Sequence, residues 1–180
     1  MDTIIVDKNI KLEPTNELQA PQLFAAIDNS RIQLSEFLPW VVDMQTIADL
    51  KVYLKNAETL CQQKKEASFA IIFNDVAVGR IGLHHLNMQN KIGAIGYWLT
   101  KDAQGKGIIL KSCKALVNYG FQNLDLHRIE IKAAVDNLKS QAIPVKLNFV
   151  KEGILRQAEF VNSQFLDLFL YSMIRDEWQA

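Results

Sequence analysis
Gln104-Gly105-Lys106-Gly107 lies between two segments of different periodicity, and that position gives the loop its chemistry. Before it, Ile95, Tyr97 and Leu99 alternate with Ala94, Gly96 and Trp98, the period of a strand. After it, Ile109, Cys113, Leu116, Val117, Gly120 and Leu124 recur at helical spacing. A helix that starts straight out of a glycine loop leaves its first backbone N–H groups unpaired and presents the positive end of its dipole. Glycines let an anion come close to the backbone, so Gly105, Lys106, Gly107, Ile108, Ile109 and Leu110 together suit a phosphate-bearing ligand. Two common nucleotide loops are excluded: GxxxxGK[ST] is absent, and no third glycine follows to complete GxGxxG. Cys61 and Cys113 make neither a disulfide framework nor a metal set, and Cys113 falls on the apolar stripe of its helix as a small buried hydrophobe.

The elements around this loop are legible from pattern. Ile4–Val6 and Ile10–Leu12 read as short strands, and Glu17–Asn29 as a helix. Ser30–Trp40 is less regular and stops at Pro39, and Thr46–Lys64 is a second helix with Thr46 as N-cap and Asp49 three residues on. Ser68–Phe73 and Val76–Leu86 form a hairpin on the turn Asn74-Asp75. After the central strand, loop and helix come a strand at Arg128–Val135, a helix at Lys139–Leu147, and a closing hairpin of Phe149–Val161 and Gln164–Ile174. On the last strand Leu166, Leu168, Leu170 and Ile174 share a parity and read as the core face, which leaves Asp167 for the cleft or the surface. The order implies an α/β chain, a mixed sheet with helices on both faces, in one domain over residues 1–180.

Composition narrows the function classes. Lys+Arg and Asp+Glu are both 20, so the net charge is zero and nothing drives general nucleic-acid or anionic-membrane binding. No apolar run approaches the roughly 18 residues of a spanning helix. MDTIIVDKNIKLEP lacks the basic-then-apolar pattern of a signal peptide, and a cytoplasmic location is expected.

The loop resembles the acetyl-CoA loop of the GNAT superfamily of N-acetyltransferases, Q/R-x-x-G-x-G/A, with Gln104 first and Gly107 fourth. Ile109 departs from the sixth position, a departure that fits the RimJ/RimL-type ribosomal-protein branch if its side chain turns into the core. Other segments are similar to that branch in order: Phe37-Leu38-Pro39-Trp40, Ile95–Leu99, His127–Ile131, Asn137-Leu138-Lys139-Ser140 followed by Asn148-Phe149, Gly153–Glu159, and Asp167 with Tyr171-Ser172. The resemblance implies a GNAT-like, mostly antiparallel seven-stranded sheet with a splayed parallel strand pair. It also implies direct transfer of acetyl from acetyl-CoA to an amine, with no metal and no acyl-enzyme, and a homodimer.

On that resemblance the pyrophosphate sits on the loop from Gln104 to Leu110, and the pantetheine arm adds to a strand edge opened by distortion at Gly93 or Gly96. An amide near Trp98 or Leu99 then faces the thioester oxygen. Glu159 is the candidate base, with His84 and His85 as rivals; adjacent on a strand, these point to opposite sides, so at most one lines the cleft. Ser140 is the candidate acid for the thiolate as well as a cofactor contact, and Asn137 is a candidate N-cap, pantetheine ligand or both. Pro144 has no N–H, so the Ser140 carbonyl is left without its helical partner. Lys106, Lys111 and Lys114 are either 3′-phosphate contacts or a solvated face. Trp40, Phe37 and Tyr171 are candidate walls of the acceptor cleft, with Arg156 as a further acceptor contact. The acceptor implied is the N-terminal amine of a protein, a ribosomal protein by branch. The alternatives are a small-molecule amine, a CoA-binding regulatory module without turnover, or a nucleotide-binding module.

Overall fold
The computed structural model describes residues 1–179. Its strands are β1 (Ile4–Ile5), β2 (Ile10–Pro14), β3 (Ala67–Phe73), β4 (Val76–Asn87), β5 (Ile92–Leu99), β6 (Arg128–Ala134), β7 (Val150–Val161) and β8 (Gln164–Ile174). Its helices are α1 (Ala20–Asp28), α2 (Arg31–Ser35), α3 (Ile47–Gln62), α4 (Ile108–Gln122) and α5 (Leu138–Lys146). The segment read as irregular resolves into α2 and a 3-10 turn at Pro39–Asp43.

All eight strands join one sheet in the order β1-β2-β3-β4-β5-β6-β8-β7. Every neighbouring pair is antiparallel except β5 and β6, which run parallel. The count exceeds seven because the two-residue β1 pairs with β2. The turns are where the sequence puts them: Asn74 and Asp75 take φ 49° and 64°, and Asn162 and Ser163 take 50° and 61°, the left-handed pair that a two-residue hairpin needs. Thr46 and Asp49 close a reciprocal capping box at the start of α3.

Side-chain alternation sorts the sheet into two faces. On one, Phe69, Ile81, Leu83, Ile95, Ile131, Tyr171 and Met173 meet Cys113, Leu116, Val117 and Phe121 of α4. On the other, Ala70, Ile72, Ala77 and Trp98 meet Leu23 and Ile27 of α1 and Leu50 and Leu54 of α3. The expected core face of β8 is overturned here. Tyr171 and Met173, with Phe169 beside them, pack into the α4 core, and the leucine row faces the other way. Asp167 is not free for a cleft either: its carboxylate accepts from the Gln157 amide at 2.7 Å and holds a bulge in β7, where the register slips between Leu155 and Glu159.

Candidate functional site
The β5–β6 pairing is short. It runs from Ile92↔Arg128 to Ile95↔Ile131 and then stops, although β5 continues to Leu99 and β6 to Ala134. From there β6 pairs only with β8, so the facing edge of Gly96–Leu99 has no strand on it. The Thr100 amide donates to the Val78 carbonyl on β4, and strand alternation therefore turns the Trp98 amide towards β4 and the Tyr97 and Leu99 amides towards the gap. Of the two expected amides, that of Leu99 faces the unpaired edge and that of Trp98 faces β4. The irregularity anticipated at Gly93 and Gly96 lies instead in β4, where His85 takes φ 52° and the β4–β5 register shifts between His84 and Asn87.

At the C-terminal end of β5 the chain enters the glycine loop. Gly105 and Gly107 adopt φ of 76° and 73°, and nothing lies within 4 Å of where a Cβ would project from either. Gly107 is the N-cap of α4 and offers no side-chain cap, so the first amides of the helix have no partner within the helix. Ile108 is fully buried, and Ile109 and Leu110 pack against the same core, which resolves the bulky sixth position. The loop is tied to α5 by Lys139 Nζ, which donates to Gln104 Oε1 at 3.1 Å. Of the three lysines, Lys111 is paired with Asp7 at 2.7 Å, Lys106 lies 5.7 Å from the Phe73 ring centre, and Lys114 is exposed.

α5 closes the gap from the α4 side. Asn137 is its N-cap, the side-chain oxygen accepting from the Ser140 amide at 3.0 Å. The Ser140 carbonyl that Pro144 leaves open is taken by the Tyr97 phenol, which donates to it at 2.9 Å. Ser140 Oγ in turn donates to Tyr97 Oη at 3.2 Å. Burial pushes the Tyr97 phenol well above its ordinary range, so it stays protonated. Tyr97 was legible as a strand residue but not as a site residue; its parity with Ile95 and Leu99, the row that packs on the α4 side, was the available signal. Burial likewise keeps Cys113 a thiol, which leaves it no part as a nucleophile.

Across the sheet, on the α1/α3 face, lies a pocket of about 130 Å³ lined by Leu38, Trp40, Tyr53, Arg80, His84 and Trp98 among others. Trp40 stacks on Tyr53 at 6.4 Å and tilts against Trp98 at 6.0 Å. His84 is half-buried, its Nδ1 3.2 Å from Glu66 and its imidazole lying over Gly82 and Gly96, while His85 is exposed. Three expected acceptor or catalytic residues do not line this pocket. Tyr171 is 2 % exposed in the core of the opposite face. Arg156 is exposed in the β7 bulge. Glu159, on the outer strand β7, pairs with Leu166 of β8, in register with the row that shares the pocket's face, and is half-buried. Arg80 was missed: nothing in a strand sequence signals that its guanidinium is buried.

The open amides, the glycines with space above them, and the unpaired β5 edge fit the pyrophosphate and pantetheine of a CoA thioester. Comparison with known proteins agrees. Residues 9–150 match the profile of the acetyltransferase (GNAT) domain. The ribosomal-protein-serine acetyltransferase of Escherichia coli K12 is 32% identical over 175 residues, 97% of this chain and 98% of that protein. The Bacillus subtilis protein described as putative ribosomal N-acetyltransferase YdaF is 40% identical over 110 residues, covering 61% of this chain and 60% of its own length. Among solved structures, RimL, a ribosomal L7/L12 α-N-protein acetyltransferase in complex with coenzyme A, superposes with a TM-score of 0.93 at 27% identity, covering 97% and 99% of the two chains. The microcin C7 self-immunity acetyltransferase MccE, in complex with acetyl-CoA and AMP, gives 0.90 at 27% identity over 94% of each.

Proposed function
The chain belongs to the GNAT acetyltransferase family, and from that membership we propose that it acetylates the N-terminal α-amine of a protein, with a ribosomal protein as the first candidate. Acetyl-CoA is the acetyl donor, and no metal takes part. The observation that carries the acceptor reading is the pocket on the α1/α3 face. Its walls are aromatic, and none of the ten residues lining it is a carboxylate, which suits a peptide terminus better than a polycation. A peptide α-amine, with an ordinary pKa near 8, needs little help to become neutral. The relatives named as ribosomal-protein acetyltransferases support the same acceptor.

In this reading the amides of Ile108, Ile109 and Leu110 hold the pyrophosphate, with Gln104, Gly105, Lys106 and Gly107 shaping the loop. Leu99 N–H donates to the thioester oxygen. Such a donor is worth about 3 kcal/mol where it meets developing charge. Ser140, backed by the Tyr97 phenol, donates a proton to the sulfur that leaves. Glu159, on the pocket's side of the sheet, takes the amine proton through a water. The His84–Glu66 pair favours a second assignment of the base, because His84 stands inside the pocket. We further propose a single domain, a cytoplasmic location and a homodimer. The unpaired outer edge of β7, with Val150, Ile154 and Phe160 exposed, supports association with a second copy.

The test is transfer of labelled acetyl from acetyl-CoA to N-terminal peptides, ribosomal proteins and polyamines. Labelling confined to the α-amine of a peptide or protein is the expected result. Polyamine labelling alone overturns the acceptor, and CoA binding without any transfer leaves the regulatory module as the reading. Sedimentation at micromolar concentration reads the dimer, and a monomer there removes it.

A further inference from the structure
Resting on the acceptor reading above, we infer that the pocket beside Trp98 selects an acceptor with a carboxylate close to its reacting amine, and that Arg80 binds that carboxylate. Arg80 stands on β4 directly opposite Trp98 of β5 and is 5% exposed. Among the described residues it is the sole charged one with a buried side chain. Its protein partners are neutral: Nη2 donates to the hydroxyls of Thr15 and Ser68, and the guanidinium carbon lies 4.9 Å from the Tyr53 ring centre. Nε is buried and donates to nothing. Among the described residues no carboxylate comes within 4.0 Å of it, whereas Arg31, Arg128 and Arg175 each have an acidic partner. Glu66 is engaged instead with His84.

A guanidinium does not lose its proton in a protein, so burial here fixes a positive charge in the wall of the pocket. A buried charge is costly unless an opposite charge meets it, and the orphaned Nε leaves the guanidinium of this pocket-lining residue with an unused donor. A carboxylate is the group that fits such a fork. β4 lies one strand spacing from β5, and the β5–β6 gap lies a second spacing on, about 10 Å in all at roughly 4.8 Å per strand. An extended peptide advances about 3.4 Å per residue. An acid in the first two or three residues of the acceptor therefore reaches Arg80 while the amine reaches the gap. The same charge disfavours polycations.

The experiment compares peptides identical except for Asp, Asn or Lys at positions two and three, by kcat/KM in the wild type. The Asp peptides are expected to exceed the Asn peptides by at least tenfold, with the Lys peptides slowest. Arg80→Gln levels the series, and Arg80→Lys keeps part of the preference, both at unchanged CoA affinity measured by calorimetry. Because the wild-type series is decisive by itself, instability of an Arg80 variant does not blunt the test. Equal rates for Asp and Asn peptides overturn the role of Arg80 while leaving the N-terminal acceptor standing. If no peptide turns over, the acceptor reading falls. The inference is then decided on free amines: glycine faster than glycinamide sustains it, and spermidine faster than both overturns it.

Discussion

Single residues carry the chemistry at three places, and each has a separate readout. If Glu159 is the base proposed above, Glu159→Gln removes it without changing shape, and kcat is expected to fall with CoA affinity kept; general-base loss costs about 10²-fold or more in other enzymes. If His84→Gln gives that drop and Glu159→Gln gives none, the base is the imidazole held by Glu66. Gly107→Glu places a carboxylate among the unpaired amides of α4 at a position with φ 73°. Titration calorimetry should then show no CoA binding, and far-UV circular dichroism should show a folded chain. Normal binding would move the pyrophosphate elsewhere. Arg80 marks the limit of what residue types reveal: an arginine in an alternating strand reads as solvated, and only packing against Tyr53 and α3 buries it.

Between elements, much was legible because local chemistry decides it. The αL pair Asn74-Asp75, the Thr46/Asp49 box and the carbonyl freed by Pro144 are each local hydrogen-bond facts that need no tertiary context. The core face of β8 was not legible for a physical reason: from Phe165 to Ile174 nearly every residue is apolar, so period-two alternation has no contrast to read. What decides the face is where α4 and α5 sit, and they cover Tyr171 and Met173. The α5–β5 contact yields a double-mutant prediction. Tyr97→Phe leaves the Ser140 carbonyl orphaned, a loss of about 1–3 kcal/mol. Pro144→Ala supplies the missing helical N–H, so it should recover part of that loss in the Tyr97→Phe background and little in the wild type. Additive effects in urea unfolding would mean the two residues do not share that carbonyl. The β6–β8–β7 corner gives a pH prediction. Arg128 first, then the Ser172 hydroxyl, hold the Glu152 carboxyl down to about 2 from an ordinary 4.5. A depressed folded-state value stabilises above the ordinary pKa and is lost as pH falls through the folded one. The Tm advantage of wild type over Glu152→Gln should therefore be full at neutral pH and shrink between about 4.5 and about 2. A constant gap across that window would remove Glu152 from the acid response.

At the scale of the whole molecule, two hydrophobic clusters share one sheet: β3 sends Phe69 and Ile71 to one and Ala70 and Ile72 to the other. Neither cluster can melt without stripping the other's strand, so near- and far-UV signals should unfold in one coincident transition, as the proposed single domain requires. The weak line in that sheet is the β5–β6 pair, joined over only four residues before the strands part. A cosubstrate lodged there, as proposed, would replace the missing backbone partners and couple the β1–β5 half to the β6–β8 half. Ligand at 100 times its Kd adds about 2.7 kcal/mol to global stability, but the distribution of that gain is the sharper measurement. Hydrogen exchange with CoA should protect Tyr97 and Leu99, the first turn of α4, and β6 beyond Ile131. Protection confined to the α4 turn would mean that the diphosphate is held and the gap is not bridged, which would leave the thioester without the Leu99 amide. Protection of β6 as well would show that the same strands that fail to pair in the fold are paired by the molecule they bind.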